Sequence, residues 1–196
     1  MNSLLHRSLL VASAVIATSA AAVATSTRVF ELPEHGAVTL LMPEGWVGEM
    51  KQPESQLPPT ITMTPRSGAK FVITMTVAWP MTSARKMLDQ DTIRSAVAGA
   101  AKSAEPESVE GVLPLQEIKG VDGRGFYFTA TDRAPKPGEA KYLTQGIIRV
   151  GEISLAFTVL TNDGQEAVVR AALEMLRTAV HRQNGHQHAI AGSLTD

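Results

Sequence analysis

The residues best suited to chemistry are three histidines near the C-terminus, His181, His186 and His188. Imidazole ligates zinc, copper and nickel, and His186-x-His188 can present two rings from one extended segment. These three are the metal candidates of the chain. A structural zinc site, however, needs four ligands on an ordered scaffold, and Gly185 with its polar neighbours predicts a solvated tail. No metal or other cofactor is therefore expected. Asp89-Gln90-Asp91 brings two carboxylates close in sequence. On a helix such neighbours point about 200° apart, so they do not converge as an acid and base pair.

Nucleophilic catalysis needs an activated nucleophile with a base and an orienting group. The chain has no cysteine, and it lacks a G-x-S-x-G elbow. Gly123-x-Gly125 has two glycines of a dinucleotide fingerprint but leads into Phe126-Tyr127-Phe128, a strand sequence. Phosphate binding of that type requires the glycines to open a helix, so they read as turn residues. The sequence points away from catalysis.

Two proline-rich loops carry the binding expectation instead. Gln52–Pro59 includes Pro53 and Pro58, and 134–141 includes Pro135, Lys136, Pro137 and Lys141. Proline reduces the entropy that a loop loses on binding. These six residues are the candidate contacts with a protein partner. Trp46, Trp79 and Tyr142 could line a site, although aromatic residues more often serve the core.

The elements that must hold these loops follow from periodicity. Alternation predicts strands over Arg28–Leu32, Ala37–Met42, Thr60–Pro65 and Lys70–Trp79, the last internal to a sheet because both faces are fairly apolar. Helical spacing of Ile93, Val97, Ala100 or Ala101, and Ala104 predicts a helix from Ser83 to Ala104, with a kink or a restart capped by Asp91. A weak edge strand is expected within Val109–Ile118, a strong strand over Arg124–Asp132, and a hairpin of Lys141–Val150 with Glu152–Thr161. A final helix is expected from Gly164 to Arg182, capped by Asp163 with Glu166 completing a capping box. Strands in runs joined by short turns argue for an antiparallel sheet. The expected fold is α+β: a mainly antiparallel sheet of about six to eight strands with two amphipathic helices packed on it.

The N-terminus adds a compartment. Arg7 precedes the apolar run Leu9–Ala17, small residues continue to Ala24, and no acidic residue occurs before Glu31. This is the order of an export signal, with Ala22-Val23-Ala24 as the cleavage pattern. The expected organisation is a signal peptide over 1–24, one domain over 25–182 and a disordered tail over 183–196. Cleavage leaves no transmembrane segment, and the protein is expected to be soluble, periplasmic or secreted. Lipid attachment needs a cysteine, so it is not a lipoprotein, and no disulfide can brace the fold. Loss of Arg7 takes the formal net charge from −1 to about −2. No basic stripe offers itself to phosphates, so nucleic acid is not an expected partner.

The approach Pro43-Glu44-Gly45-Trp46, the mid-chain helix, the Gly120–Phe128 segment and the hairpin feeding a C-terminal helix form a pattern. It resembles the PsbP-like or DcrB-like superfamily of small α/β/α sandwich proteins, over roughly Arg28–Arg182. The resemblance implies a non-enzymatic role in binding or assembly, and it transfers no residue role because it has no catalytic signature. The leading expectation is an exported, non-catalytic binding or assembly protein of the bacterial cell envelope. The alternative is a small-molecule or metal-binding periplasmic protein, or an enzyme with a dispersed site. A pocket with converging polar groups would favour the alternative; an exposed apolar patch would favour the partner.

Overall fold

The computed structural model describes residues 24–52, 57–79 and 88–183. The expected leader, Pro53, the Ser83 start of the first helix, His186, His188 and the tail from 184 lie outside them. The described chain runs β1 (Thr25–Leu32), β2 (Gly36–Pro43), β3 (Trp46–Lys51), β4 (Thr60–Pro65), β5 (Val72–Ala78) and α1 (Gln90–Ala104). A short 3-10 turn (Glu105–Glu107) leads to β6 (Gln116–Gly120), β7 (Gly123–Thr131), β8 (Tyr142–Val150), β9 (Ile153–Thr161), α2 (Glu166–Arg177) and β10 (Val180–Arg182).

Seven strands form the main sheet, in the order β3-β4-β5-β9-β8-β7-β6, and every neighbouring pair is antiparallel. The other three form a second sheet, β1-β2-β10, which the alternation pattern did not announce. Two cores follow from the two faces of the main sheet. On one face, Ile73, Met75, Val77, Leu155, Phe157 and Val159 pack with Leu40 and Met42 of the small sheet and Ala172, Met175 and Leu176 of α2. On the other, Phe128 and Ala130 pack beneath Ile93, Val97 and Ala101 of α1. The main sheet thus lies between α1 and a layer built of α2 and the small sheet.

Local chemistry explains where the elements depart from expectation. The helix α1 is capped by Asp89, whose carboxylate accepts from Thr92 N–H at 2.7 Å, and Asp91 falls in the first turn. The carboxylate oxygen satisfies an otherwise orphaned helix N–H. The edge strand begins at Gln116 and not Val109; the stretch before it is tied down by a lone bridge from Ser108 to Asp132. Gly125 is not a turn residue but lies within β7, where a Cβ would sit 2.6 Å from Ile148 Cα. The strand β3 escapes the pattern because Gly48 and Glu49 break its apolar run.

The helix α2 stops at Arg177, short of the expected Arg182. Gln165, not Asp163, occupies the cap position, and Gln165 makes no capping bond to the helix. Its Oε1 accepts from Asn162 N–H at 2.7 Å and its Nε2 donates to Lys70 O at 3.1 Å. After the helix the chain reverses into β10, pairing Val180–Arg182 with Thr39–Ala37 of β2. No helix among the described residues is long and apolar enough to cross a membrane.

Candidate functional site

The described flanks of the two proline loops lie at opposite ends of the main sheet. Thr60, which follows the β3–β4 connection, pairs with Thr76, and Thr76 pairs with Ala156 near the start of β9. The β7–β8 connection lies beyond Thr131 and Tyr142, and Tyr142 pairs with Thr161 at the end of β9. Pro58 is exposed at one end; Pro135, Lys136 and Pro137 are exposed at the other.

The β7–β8 loop is braced. Asp132 N–H donates to Lys141 O at 2.8 Å, and its carboxylate accepts from Ala134 N–H at 2.8 Å. Lys136 and Glu139 bond reciprocally, through Glu139 N–H to Lys136 O and Lys136 N–H to Glu139 Oε2, both at 3.0 Å. Arg133 ties the loop to the segment after α1, since its Nη2 donates to Ser108 O at 2.7 Å. That segment carries Val109 and Val112, 60% and 72% exposed.

Beside the loop, on the α2 face of the sheet, lies a cavity of about 410 Å³. It exists because α2 crosses the sheet obliquely. The helix begins after Asn162 at the end of β9 and finishes against the β6–β7 turn, where Val121 N–H donates to Arg177 O at 2.8 Å. The loop end of β7 and β8 is left uncovered. Thr129, Thr131, Tyr142, Thr144 and Thr161 line it from the sheet, Glu166, Val169 and Arg170 from α2, and Glu110 from the segment after α1.

Two carboxylates here, Asp163 and Glu110, are committed to the fold. Asp163 accepts from Tyr142 O–H at 2.6 Å and Lys141 Nζ at 2.9 Å. The tyrosine bond first, then the lysine, holds its carboxyl below the usual range; the same aspartate holds the Lys141 ammonium above its ordinary value. Burial works to raise Glu110, but the bonds from Thr131 O–H at 2.6 Å and Thr131 N–H at 3.0 Å prevail, and its pKa is lowered.

An acid sensitivity follows. A carboxyl whose folded pKa is depressed adds stability that is full above its unfolded pKa and is lost as pH falls through the folded value. The Thr131 amide is therefore expected to lose hydrogen-exchange protection as pH falls through the lowered pKa of Glu110, below the ordinary glutamate range. Glu110→Ala, which removes the acceptor, should show that loss already at neutral pH and little further acid dependence. Unchanged protection of Thr131 in the variant would refute the assignment.

The remaining sequence candidates are structural in their placement. His181 lies in β10, with Nε2 donating to His35 O at 2.7 Å and Nδ1 accepting from Glu152 N–H at 3.3 Å. Both ring nitrogens are thus engaged by backbone. No group of three or more metal-ligating side chains occurs among the described residues. Trp46 is buried against Phe71, and Trp79 stacks on His35 at 4.0 Å. Tyr142 alone of the three aromatic candidates reaches the cavity. Glu110, Thr144, Thr161 and Arg170 carry no sequence motif; sheet register and the oblique helix bring them together.

No protein-family model matches the chain, and no curated protein matches it. Two solved structures are similar. One is a crystal structure from Bacteroides thetaiotaomicron VPI-5482, with a TM-score of 0.46 and 13% identity, matching 76% of this chain. The chain spans 46% of that structure's length. The other is the solution structure of cyanobacterial PsbP (CyanoP) from Synechocystis sp. PCC 6803, with a TM-score of 0.49 and 8% identity, covering 85% of this chain and 99% of that one. Both are likenesses of fold. The arrangement expected from the sequence, a mainly antiparallel α+β sheet of about six to eight strands with two helices packed on it, is the one that the strand order and the two helices display.

Proposed function

We propose that this is an exported, non-catalytic binding protein of the bacterial cell envelope, meeting a protein partner through the β7–β8 loop. The observation that carries the reading is the braced, exposed loop with Val109 and Val112 beside it. A loop already held by its own hydrogen bonds loses little entropy on binding. Exposed apolar side chains on a polar surface are where partners gain most from excluding water. Export rests on the N-terminal order of Arg7, an apolar run and Ala22-Val23-Ala24.

The test is capture from envelope extract by the tagged protein, beside a variant with residues 135–139 replaced by a Gly-Ser linker. The expected result is a specific protein held by the native loop and lost with the linker, at unchanged thermal stability. Equal capture by both would refute the loop. Fractionated cells should hold a shortened species outside the cytoplasm; a full-length membrane-bound species would refute export.

A further inference from the structure

The floor of the cavity carries more hydroxyls than the fold uses. Register places Thr129 opposite Thr144, Thr131 opposite Tyr142, and Tyr142 opposite Thr161, all on the α2 face. Two of these groups are spent internally, since Thr131 O–H donates to Glu110 and Tyr142 O–H to Asp163, both at 2.6 Å. Thr144 and Thr161 are 3% and 2% exposed and face the cavity. Neither hydroxyl has a hydrogen-bond partner among the described residues. Neither oxygen is among the fully buried unpartnered atoms, so both remain open to what occupies the cavity and can bond it. The two lie diagonally on neighbouring strands, Thr144 opposite Val159 and Thr161 opposite Tyr142, where a molecule entering the cavity can reach both.

We infer that this cavity binds a neutral, polyhydroxylated molecule of monosaccharide size. A threonine hydroxyl both donates and accepts, and its natural complement is another group that does both. Each threonine also presents a methyl, and Val169 of α2 adds apolar wall. A sugar ring has the same alternation of hydroxyls and C–H surface. Charged ligands fit less well. An anion would meet Glu110 and Glu166, and a cation would meet Arg170. A hydroxylated ligand can donate to the free lone pairs of Glu110 and accept from Arg170 without bringing charge of its own. A volume of about 410 Å³ lies within the ordinary range for small-ligand sites. The cavity opens on the α2 face, behind the loop, so its occupation goes beyond the partner contact and does not depend on it.

The experiment is a methyl and amide NMR titration of the whole purified protein with three probes: glucose, N-acetylglucosamine and myo-inositol. At least one is expected to give saturable shifts at Thr129, Thr144 and Thr161. The near-isosteric double variant Thr144→Val/Thr161→Val should weaken that binding roughly tenfold or more. Thr129→Trp, at an exposed strand position, should fill the mouth and abolish it at unchanged melting temperature, and it serves if the double variant does not fold. The Gly-Ser loop variant should bind the probe as the native chain does, which separates this site from the partner surface. No saturable shift at these residues with any of the three probes would overturn the inference, as would undiminished binding by Thr129→Trp.

Discussion

Gly146→Ala is expected to destabilise the protein by about 3 kcal/mol, the upper end of what overpacking costs. Gly146 lies in β8, between Tyr127 of β7 and Phe157 of β9. A Cβ there would sit 2.5 Å from Tyr127 Cβ and 2.8 Å from Phe157 Cζ, and would press on the Phe126 carbonyl. The strand is internal, so neither neighbour can retreat without breaking a ladder. Phe157 is 1% exposed and leans its ring over the space that glycine leaves. If that is the cause, the two sites must couple. In a Phe157→Leu background the same Gly146→Ala change should cost less, by about 1 kcal/mol or more. Urea unfolding of the four proteins measures this. A single variant within about 0.5 kcal/mol of the parent, or strict additivity, would contradict the packing described.

Phe128→Ala should cost about 3–5 kcal/mol, the range for emptying a large aromatic site. Phe128 is fully buried and is the largest member of the smaller core, where it supports Ile93, Val97 and Ala101 of α1. That core shares no buried residue with the larger one on the opposite face. The damage should therefore be uneven. Amides of α1 are expected to exchange first, while those of β5 and β9 keep most of their protection. Uniform loss across both faces would show that the cores are one cooperative unit and would count against the layered description.

Sequence periodicity reached the main sheet well because strand parity and burial coincide there. Ile73, Met75 and Val77 alternate with Val72, Thr74 and Thr76 in sequence, and the first three are the buried ones. It failed where tertiary contacts overrule a local pattern. Asp163 looks like a helix cap but is held by Tyr142 and Lys141 across the hairpin. His181 and its neighbours look like the last turn of α2, but they pair with β2, and Asp122 accepts the His181 N–H at 3.1 Å. The β7–β8 loop was legible from its prolines. The cavity beside it was not, because Glu110, Thr129, Thr144, Thr161 and Arg170 are distant in sequence and meet only through register. One signal was present. Thr144 shares its parity with Ile148 and Val150 on the buried face of β8, and a polar side chain at a core position asks what it bonds to.

The measurement that bears most directly on the partner reading is photo-crosslinking in the cells that make the protein. A photoreactive residue would be placed in turn at Lys136, Val112 and Pro58. Lys136 and Val112 belong to the braced end, and Pro58 to the far end of the sheet. The account predicts the same protein joined to the chain from Lys136 and from Val112, and not from Pro58. No adduct from the first two positions, or the same adduct from all three, would contradict it.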